Sequence, residues 1–549
     1  MIKEKITNLI EQTIKDLAKK GRFPQKLPQV TVEVSKEEKW GDYSSNIALG
    51  IQGRDKEKVN SREIAELIVT NLPKTDFLEK VKVGGAGFIN FTLNKKWVTN
   101  QVSEIIKQGE KFGSSNFGQG KKMQVEFISA NPTGPLTLGN GRGGFFGDIL
   151  AKVLEKAGHK VEREYYINDV GGQIEALGKS ILAEQGKIKW QEGFYKGNYI
   201  KDLARRFAAR QAKKIKDEDP TKFGEKASQI ILKEIKDSIK NLNIKFDFWF
   251  SEKSLQEGSE VEKTIEKLKK KNLTYQKEGA LWFKATKLGD SQDYVLKKSD
   301  GQFTYFASDI AYHLNKFEKR KFQKVINIWG ADHAGHVSKL KLAMKVFGYD
   351  DELDIIICQL VRLIEKGKEI KMSKRLGTYV TLDELIDEVG KDVARFFFVM
   401  KAPDTHMDFD LELAREHSQK NPVFYVQYAY ARIHSLLKKA QSPELRAQSL
   451  KLDLLTHPAE ISLIKELLKF PEIIEDIAKN YHIQELPYYS IALAQKFHNF
   501  YEKCRVLSDK RQATSNKELS QARLALVEAT KIVLKNTFDL LGISAPEKM

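Results

Sequence analysis

The fold of this chain is decided by residues 123–167, MQVEFISANPTGPLTLGNGRGGFFGDILAKVLEKAGHKVEREYYI. Two runs within them, 123–129 and 161–167, have the β-branched and aromatic composition of strands. Between these runs, apolar residues at helical spacing share one face, namely Phe146, Ile149, Leu150, Val153 and Leu154. A strand, a helix and a second strand predict a βαβ unit, and therefore an α/β fold with a doubly wound parallel sheet of the Rossmann type.

The loop that joins the first strand to the helix, SANPTGPLTLGNGRGG (129–144), contains five glycines and a single charged residue. Glycines remove Cβ atoms, so a phosphate or a planar base can touch the main chain. The free N–H groups and the dipole of a helix N-terminus also attract anions. The loop therefore favours nucleotide binding.

Two other interpretations of this loop stay open at this point. Gly139-x-Gly141-x-x-Gly144, with Glu164 about twenty residues further on, fits the dinucleotide fingerprint of dehydrogenases. About ten residues, two of them prolines, separate that fingerprint from its strand, which argues against a dehydrogenase. A glycine-rich run can also be a structural turn without any ligand.

The sheet pattern resumes in the second half of the chain. VLKKSDGQFTYF predicts a hairpin around Asp300-Gly301. KVINIWG (324–330) and DIIICQLVRL (354–363) predict strands, and 337–347 predicts the helix between them. Two βα halves separated by an insertion make one domain of a catalytic type.

A basic loop, EIKMSKRLGTYVTLDEL (369–385), follows these strands. It places Lys371, Lys374 and Arg375 close together, and such mobile cations can stabilise a leaving pyrophosphate. Alone, a basic run is usually a solvated loop. Next to a nucleotide loop of the same sheet, it indicates phosphate chemistry.

The domain organisation follows from where these patterns begin and end. Residues 1–110 predict an N-terminal α+β domain, 120–400 the catalytic domain with a helical insertion at about 175–285, and 405–549 an all-α bundle. In the N-terminal domain, strands are predicted at 29–34 and 83–93 and a helix near 61–71. Bundle helices are predicted within 411–440, 458–480, 486–508 and 518–541.

Composition limits the partners and the location. The chain has 549 residues, with 92 Lys and Arg against 74 Asp and Glu, and a formal charge of +18 that suits a polyanion. Cys358 and Cys504 are far apart in sequence, so neither a disulfide framework nor a zinc site is predicted. The sequence shows no signal peptide and no apolar span, so we expect a cytoplasmic protein without membrane contact.

The KMSK sequence and the glycine loop together resemble the class I aminoacyl-tRNA synthetases, and within them the arginyl-tRNA synthetases. The motifs of that family occur here in its order, as EFISANPTGPL, REYYINDVGGQI, GFYKGNYI, FTYFASDIAYH, WGADHAGH, NPVFYVQYAYARI, FHNFYEKCRVL and LLGISAPEKM. The resemblance extends from KWGDYSSNIA to the last residue.

The resemblance implies an arginine–tRNA ligase. Arginine and ATP with Mg²⁺ would give arginyl-adenylate and pyrophosphate, and arginine would then pass to the 3′ end of tRNA(Arg), releasing AMP. It implies a monomer with an N-terminal domain and a C-terminal bundle that contact tRNA and an insertion that supports its acceptor stem. Activation is expected to need bound tRNA.

The same resemblance implies roles for individual residues. The catalytic residues would be Thr137, Gly139, Asn140, Lys371 and Lys374. Arginine would be bound by Glu126, Asn131, Tyr305, Asp309 and His333. ATP would be bound by Gly134, Pro135, Thr137, Gly139, Asn140, Gly330, Asp332, His336, Met372, Ser373 and Lys374. The tRNA would be bound by Phe88, Asn90, Phe91, Tyr425, Gln427, Tyr428 and Arg432.

One motif departs from the family pattern. Where the family usually has His-x-Gly-His, this chain has Thr137-Leu138-Gly139-Asn140. A hydroxyl and an amide can replace the imidazoles as uncharged hydrogen-bond donors. A noncatalytic tRNA-binding relative therefore remains an alternative, and so does a dehydrogenase or small-molecule nucleotidyltransferase on the same sheet.

Several of these side chains also have plain structural interpretations. Tyr305 fits a core tyrosine, and Asp309 fits an acid at a helix start. His333 and His336 fit satisfied loop residues. Each tRNA candidate on the bundle fits a residue packed between helices.

Overall fold

The computed structural model describes residues 1–23, 27–35, 37–52, 60–211, 219–370, 381–440, 450–507 and 514–549. The helices are α1 (Ile2–Lys19), α2 (Ile47–Gln52), α3 (Ser61–Asn71), α4 (Lys95–Gln108), α5 (Leu138–Lys156), α6 (Gly172–Glu184), α7 (Asn198–Gln211), α8 (Pro220–Asn241), α9 (Lys253–Glu257), α10 (Glu260–Lys270), α11 (Tyr305–Leu314), α12 (Ala334–Val346), α13 (Leu382–Val389), α14 (Lys391–Val399), α15 (Leu411–Arg415), α16 (Pro422–Lys439), α17 (Pro458–Leu468), α18 (Phe470–Asn480), α19 (Glu485–Lys503) and α20 (Thr514–Leu541).

The strands are β1 (Glu33–Val34), β2 (Tyr43–Ser45), β3 (Leu78–Gly84), β4 (Phe88–Leu93), β5 (Lys122–Glu126), β6 (Lys160–Ile167), β7 (Phe248–Ser251), β8 (Thr274–Lys277), β9 (Ala280–Phe283), β10 (Tyr294–Lys297), β11 (Lys324–Gly330), β12 (Leu353–Cys358), β13 (Val361–Glu365), β14 (Lys368–Glu369) and β15 (Met407–Asp410).

The central sheet has five parallel strands in the order β12-β11-β5-β6-β7. The βαβ prediction is confirmed, because β5 and β6 are neighbours joined through α5. The packing of α5 on the sheet is very close, since a Cβ on Gly147 would lie 2.3 Å from Cγ of Phe127. The fold is therefore the expected Rossmann-type α/β domain, with its switch in strand order between β5 and β11.

The insertion contains strands as well as helices. Helices α6, α7 and α8 agree with the predicted pattern, but β7 pairs with β6 as an edge strand of the central sheet. The aromatic run that contains β7 packs on that sheet, with the Phe246 ring 4.5 Å from that of Phe127. Strands β8, β9 and β10 form a separate antiparallel sheet. The all-helical interpretation of 175–285 was therefore too broad.

Three local predictions were wrong in detail. The hairpin at Asp300-Gly301 forms, with the N–H of Lys298 donating to Gln302 and that of Thr304 to Leu296, but its second arm is a single bridge residue, Phe303, because α11 already begins at Tyr305. The run 354–363 is two strands, β12 of the central sheet and β13 of a second sheet with β14 and β15. Strand β15 also lies beyond residue 405, where only helices were expected.

The regions on either side of the Rossmann-type domain have the expected structural classes, α+β at the N-terminus and all-α at the C-terminus. The N-terminal sheet has the order β1-β2-β4-β3 and carries α1 to α3, although only Glu33–Val34 of the run 29–34 is a strand. Helices α16 to α20 form the C-terminal bundle. Among the helices described above, none is long and apolar enough to cross a membrane.

Candidate active site

A cavity of about 830 Å³ opens at the carboxyl ends of β5, β6 and β11. Parallel sheets place ligand sites at this edge, where the strand order switches. The cavity brings together every described residue that was predicted to bind arginine or ATP: Glu126, Asn131, Gly134, Pro135, Thr137, Gly139, Asn140, Tyr305, Asp309, Gly330, Asp332, His333 and His336. Lys371, Met372, Ser373 and Lys374 lie outside the described residues.

The chain leaves β5 through a strained turn at the floor of this cavity. Ile128 and Ser129 have φ values of 65° and 41°, which β-branched and other non-glycine residues seldom adopt. The Ser129 hydroxyl donates to Oε1 of Glu126 over 3.2 Å and accepts from the N–H of Tyr166 over 3.1 Å. Strain of this kind concentrates at ligand sites, where surrounding contacts hold it in place.

Thr137 and Asn140 form a cap at the start of α5. The Asn140 side-chain oxygen accepts from both the N–H and the hydroxyl of Thr137, each over 2.9 Å. The amide nitrogen of Asn140 is a donor only, and both residues line the cavity. The two replacements of the usual histidines therefore position each other and present a neutral amide donor at the helix N-terminus.

The chain beyond the basic loop returns to this cap. Thr381 forms a bridge with Thr137, and the N–H of Leu382 donates to the carbonyl of Leu136 over 2.9 Å. Gly141 permits this approach, because a Cβ there would lie 2.6 Å from a methyl group of Leu382. The segment that follows Lys371 and Lys374 is thus anchored to the glycine loop.

Two carboxyl groups, those of the buried Glu252 and the half-buried Asp309, give one end of the cavity its charge. Burial and the nearby Glu252 and Glu126 raise the pKa of Asp309 to about 7. Burial and the nearby Asp169 raise the pKa of Glu252 to about 7. Within the described part of the chain, neither Asp309 nor Glu252 forms an ion pair. This end of the cavity can therefore accept a cation between two carboxylates.

Glu126 differs from these two acids. Burial would raise its pKa, but the Lys316 ammonium 2.5 Å away holds the pKa below its usual value. The Tyr312 hydroxyl also donates to Glu126 over 2.9 Å. Glu126 is thus an ionised acceptor whose charge is already balanced by Lys316.

Glu252 was missed by the sequence interpretation. It follows the last residue of β7, and its side chain lines the cavity. A recognisable signal exists, because an acid directly after a strand of a parallel sheet lies at the ligand edge. That signal was lost when residues 246–250 were assigned to a helical insertion.

Tyr305 and the two histidines occupy the rim of the cavity. Tyr305 is the first residue of α11 and is 54% exposed, so it is not the core tyrosine of the structural alternative. His333 and His336 flank the start of α12, with ring centroids 6.1 Å apart. Burial and the nearby Lys339 and His333 lower the pKa of His336, which favours a neutral ring.

The N-terminal tRNA candidates divide between the two faces of β4. The side chain of Phe88 is 42% exposed and that of Asn90 is half-buried, whereas Phe91 is fully buried in the core. Successive residues of a strand alternate between its faces. Phe91 is therefore a core residue, and its selection as a tRNA contact was wrong.

The candidates on α16 also divide. Arg432 donates to the hydroxyl of Tyr428 and stacks on its ring, and the Tyr425 ring lies 5.2 Å from that of His498. Gln427 is instead 7% exposed, and its amide donates to Asp392 and Ser544. Gln427 is thus packed between helices, as its structural interpretation expected, and only the other three form a partly exposed surface.

Three family models match this chain along its length. The model described as "Arginyl tRNA synthetase N terminal domain" matches residues 4–93, "tRNA synthetases class I (R), catalytic domain" matches 101–410, and "DALR anticodon binding domain" matches 426–549. The second of these alone covers more than half of the chain.

Known proteins agree with these matches. The arginine–tRNA ligase of Carboxydothermus hydrogenoformans is 45% identical over 100% of this chain and 99% of its own length. The arginine–tRNA ligase of Heliobacterium modesticaldum is also 45% identical, over 95% of this chain and 94% of its own length. In fold, the arginyl-tRNA synthetase of Thermus thermophilus superposes with a TM-score of 0.78 at 22% identity, over 100% of both chains. The chain therefore belongs to the arginyl-tRNA synthetases, class I ligases that activate arginine with ATP and charge tRNA with it.

Proposed function

We propose that the cavity at the ends of β5, β6 and β11 is the site where arginine is activated and transferred to tRNA. The observation that carries this assignment is the pair of acids at one end of the cavity, the half-buried Asp309 and the buried Glu252. A guanidinium is a planar cation with five donors, and two carboxylates without an ion pair of their own match it.

The rest of the amino acid would lie along the turn after β5. The amide nitrogen of Asn131 donates to Gln173 over 2.7 Å, which leaves the Asn131 carbonyl as an acceptor for the α-ammonium group. Tyr305 stands one helical turn from Asp309 and would cover the guanidinium. A smaller or uncharged amino acid would leave the buried acids unpaired, so it would be rejected without a second site.

ATP would bind on the glycine loop beside the arginine. Thr137 and Asn140 at the N-terminus of α5 would donate to its phosphate and ribose oxygens, and Mg²⁺ would enter with the triphosphate. Gly330, Asp332 and His336 would line the nucleoside end. The roles of Lys371 and Lys374 at the leaving pyrophosphate stay predictions.

The reaction needs no nucleophile from the protein. The arginine carboxylate would attack the α-phosphorus, the bond to pyrophosphate would break, and the terminal adenosine of tRNA would then take the arginyl group. The protein would contribute alignment of the reactants and donors for the phosphate charge. The cap of Thr137 and Asn140 fits this task because it is held in place before ATP arrives.

The tRNA would contact the two flanking regions. Phe88 and Asn90 present an exposed aromatic ring and an amide on the N-terminal sheet, and Tyr425, Tyr428 and Arg432 form a second such surface on α16. Aromatic rings beside cations can stack and hold unpaired bases. The monomeric state and the cytoplasmic location stay predictions.

Charging of tRNA with labelled arginine tests the site assignment. We expect charging to be confined to arginine and to fall at least about 100-fold in Asp309→Asn, because a charge-assisted contact to the substrate is lost. Asp300→Asn, in the exposed turn before α11, is the matched control and should charge normally. Full activity of Asp309→Asn would refute the site, and binding of tRNA without any charging by the native chain would indicate a silenced relative.

A further inference from the structure

A fully buried lysine lies beneath the acidic end of the cavity. Lys316 belongs to a π-helical turn, Asn315–Lys319, that continues α11, and its side chain has no exposed surface. Its ammonium group lies 2.5 Å from Oε2 of Glu126 and 3.1 Å from Oδ1 of Asn327. π-turns occur often at functional sites, where they redirect a side chain.

The hydrogen bonds that start at Lys316 can run in only one direction. An ammonium group donates and never accepts, so Asn327 accepts with its oxygen and turns its NH₂ group to His313. That NH₂ group lies 2.6 Å from Nε2 of His313, which must therefore be an unprotonated acceptor. The proton of the ring then sits on Nδ1, which lies 2.7 Å from the carbonyl oxygen of Asp309.

These contacts join Lys316 to two of the acids proposed to bind arginine, Glu126 at the end of β5 and Asp309 on α11. Glu126 is held directly by the ion pair, and the backbone of Asp309 is held through Asn327 and His313. Burial lowers the pKa of His313 to about 3, which agrees with a neutral ring in this chain.

We propose that Lys316 is a positioning residue for arginine recognition: through Asn327 and His313 it fixes Asp309, and through its ion pair it fixes Glu126. The inference rests on the proposed arginine site and deepens it. If the network only stabilised the core, its loss would change the KM for arginine and the KM for ATP alike. If it positions the arginine site, its loss must raise the KM for arginine more than the KM for ATP.

Two variants interrupt the chain of contacts at different points. Lys316→Met removes its origin, and Asn327→Asp replaces the amide donor to His313 by an acceptor. We expect each to raise the KM for arginine at least about tenfold in tRNA charging, with the KM for ATP unchanged. Lys319→Met is the matched control, because Lys319 lies in the same π-turn but is 68% exposed.

The tautomer of His313 gives a readout that does not depend on catalysis. Nitrogen-15 NMR of histidine-labelled native protein, assigned with His313→Gln, should show a neutral ring with its proton on Nδ1. A proton on Nε2 would overturn the proposal even if Lys316→Met fails to fold. Folded variants with the native KM for arginine, or with an equal rise for ATP, would also overturn it. Failure of the arginine site itself would appear separately, as normal charging by Asp309→Asn.

Discussion

At the scale of single residues, three acids of one cavity have three different environments. Glu126 is balanced by Lys316, and its pKa is held below the usual value. Within the described part of the chain, Asp309 and Glu252 have no such partner, and burial raises the pKa of each to about 7. In the proposed site, Asp309 and Glu252 would supply the negative charge that a guanidinium needs, and Glu126 would supply a fixed acceptor.

The raised pKa of Asp309 has a consequence for stability. Between its unfolded pKa, near 4, and its folded pKa of about 7, the folded chain holds a proton that the unfolded chain releases. The stabilisation that comes from protonated Asp309 is therefore fully present below about pH 4, and it is lost as the pH rises through the folded pKa of about 7. Asp309→Asn cannot titrate, so its melting temperature should rise relative to that of the native chain between about pH 4 and about pH 7 and stay level above that range. A difference that stays constant across this range would contradict the assignment.

The cap at α5 predicts a separation of two roles of Asn140. Asn140→Ala removes the acceptor for Thr137 and should cost about 1 kcal/mol in urea unfolding. Asn140→Asp keeps that acceptor, so its stability should remain near native. Both variants lose the amide donor, and both should slow arginine-dependent ATP–pyrophosphate exchange in the presence of tRNA. Native exchange by Asn140→Asp would show that the amide does not serve ATP.

At the scale of elements, the sequence predicted what lies close together along the chain. The βαβ unit, the glycine loop and the strand end at Gly330 follow from the local periodicity and the positions of glycine and proline, although the first strand ends at Glu126 and not at Ser129 as predicted. Strand β7 did not, because FDFWF lies between helices and its partner β6 is about eighty residues away. The contact of Lys316 with Glu126 could not be predicted either, since the two residues are far apart in sequence and only the folded sheet brings them together.

Helices α6 and α8 give a prediction at this scale. They cross with their backbones in contact, because a Cβ on Gly178 would lie 1.7 Å from the carbonyl oxygen of Pro220. Gly178→Ala should therefore destabilise the chain by about 3 kcal/mol, near the upper end of overpacking costs. Gly172→Ala, at the start of the same helix with no atom near its Cβ position, is the control and should be neutral. Equal stabilities in thermal unfolding would contradict this packing.

At the scale of the whole molecule, one buried arginine joins three parts of the chain. Arg395 on α14 forms an ion pair with Asp148 of α5, and donates to the carbonyls of Leu242 after α8 and Leu541 of α20, each over 2.9 Å. Gly542 leaves room for its guanidinium, since a Cβ there would collide with it. The helix that begins at the cap is thus tied to the end of the C-terminal bundle.

Arg395→Met should therefore lower the stability of the whole chain by about 3 kcal/mol, because it removes a donor from two carbonyls and leaves the buried Asp148 with Lys152 as its remaining ion-pair partner. The double variant Asp148→Asn with Arg395→Met should recover part of this loss, since it also removes the buried carboxylate that has lost one of its two cations. Chemical unfolding followed separately by catalytic and tryptophan signals would measure both. A single variant of native stability would show that this junction does not hold the parts together.

The most direct test of the central claim is the proton count on arginine binding. Calorimetric titration of arginine into the protein at pH 7, in buffers of different ionisation enthalpy, measures the protons released. Two acids with pKa values of about 7 should together release about one proton when the guanidinium binds, and Asp309→Asn should release markedly fewer. Arginine binding without proton release would contradict the claim that these two carboxyl groups recognise it.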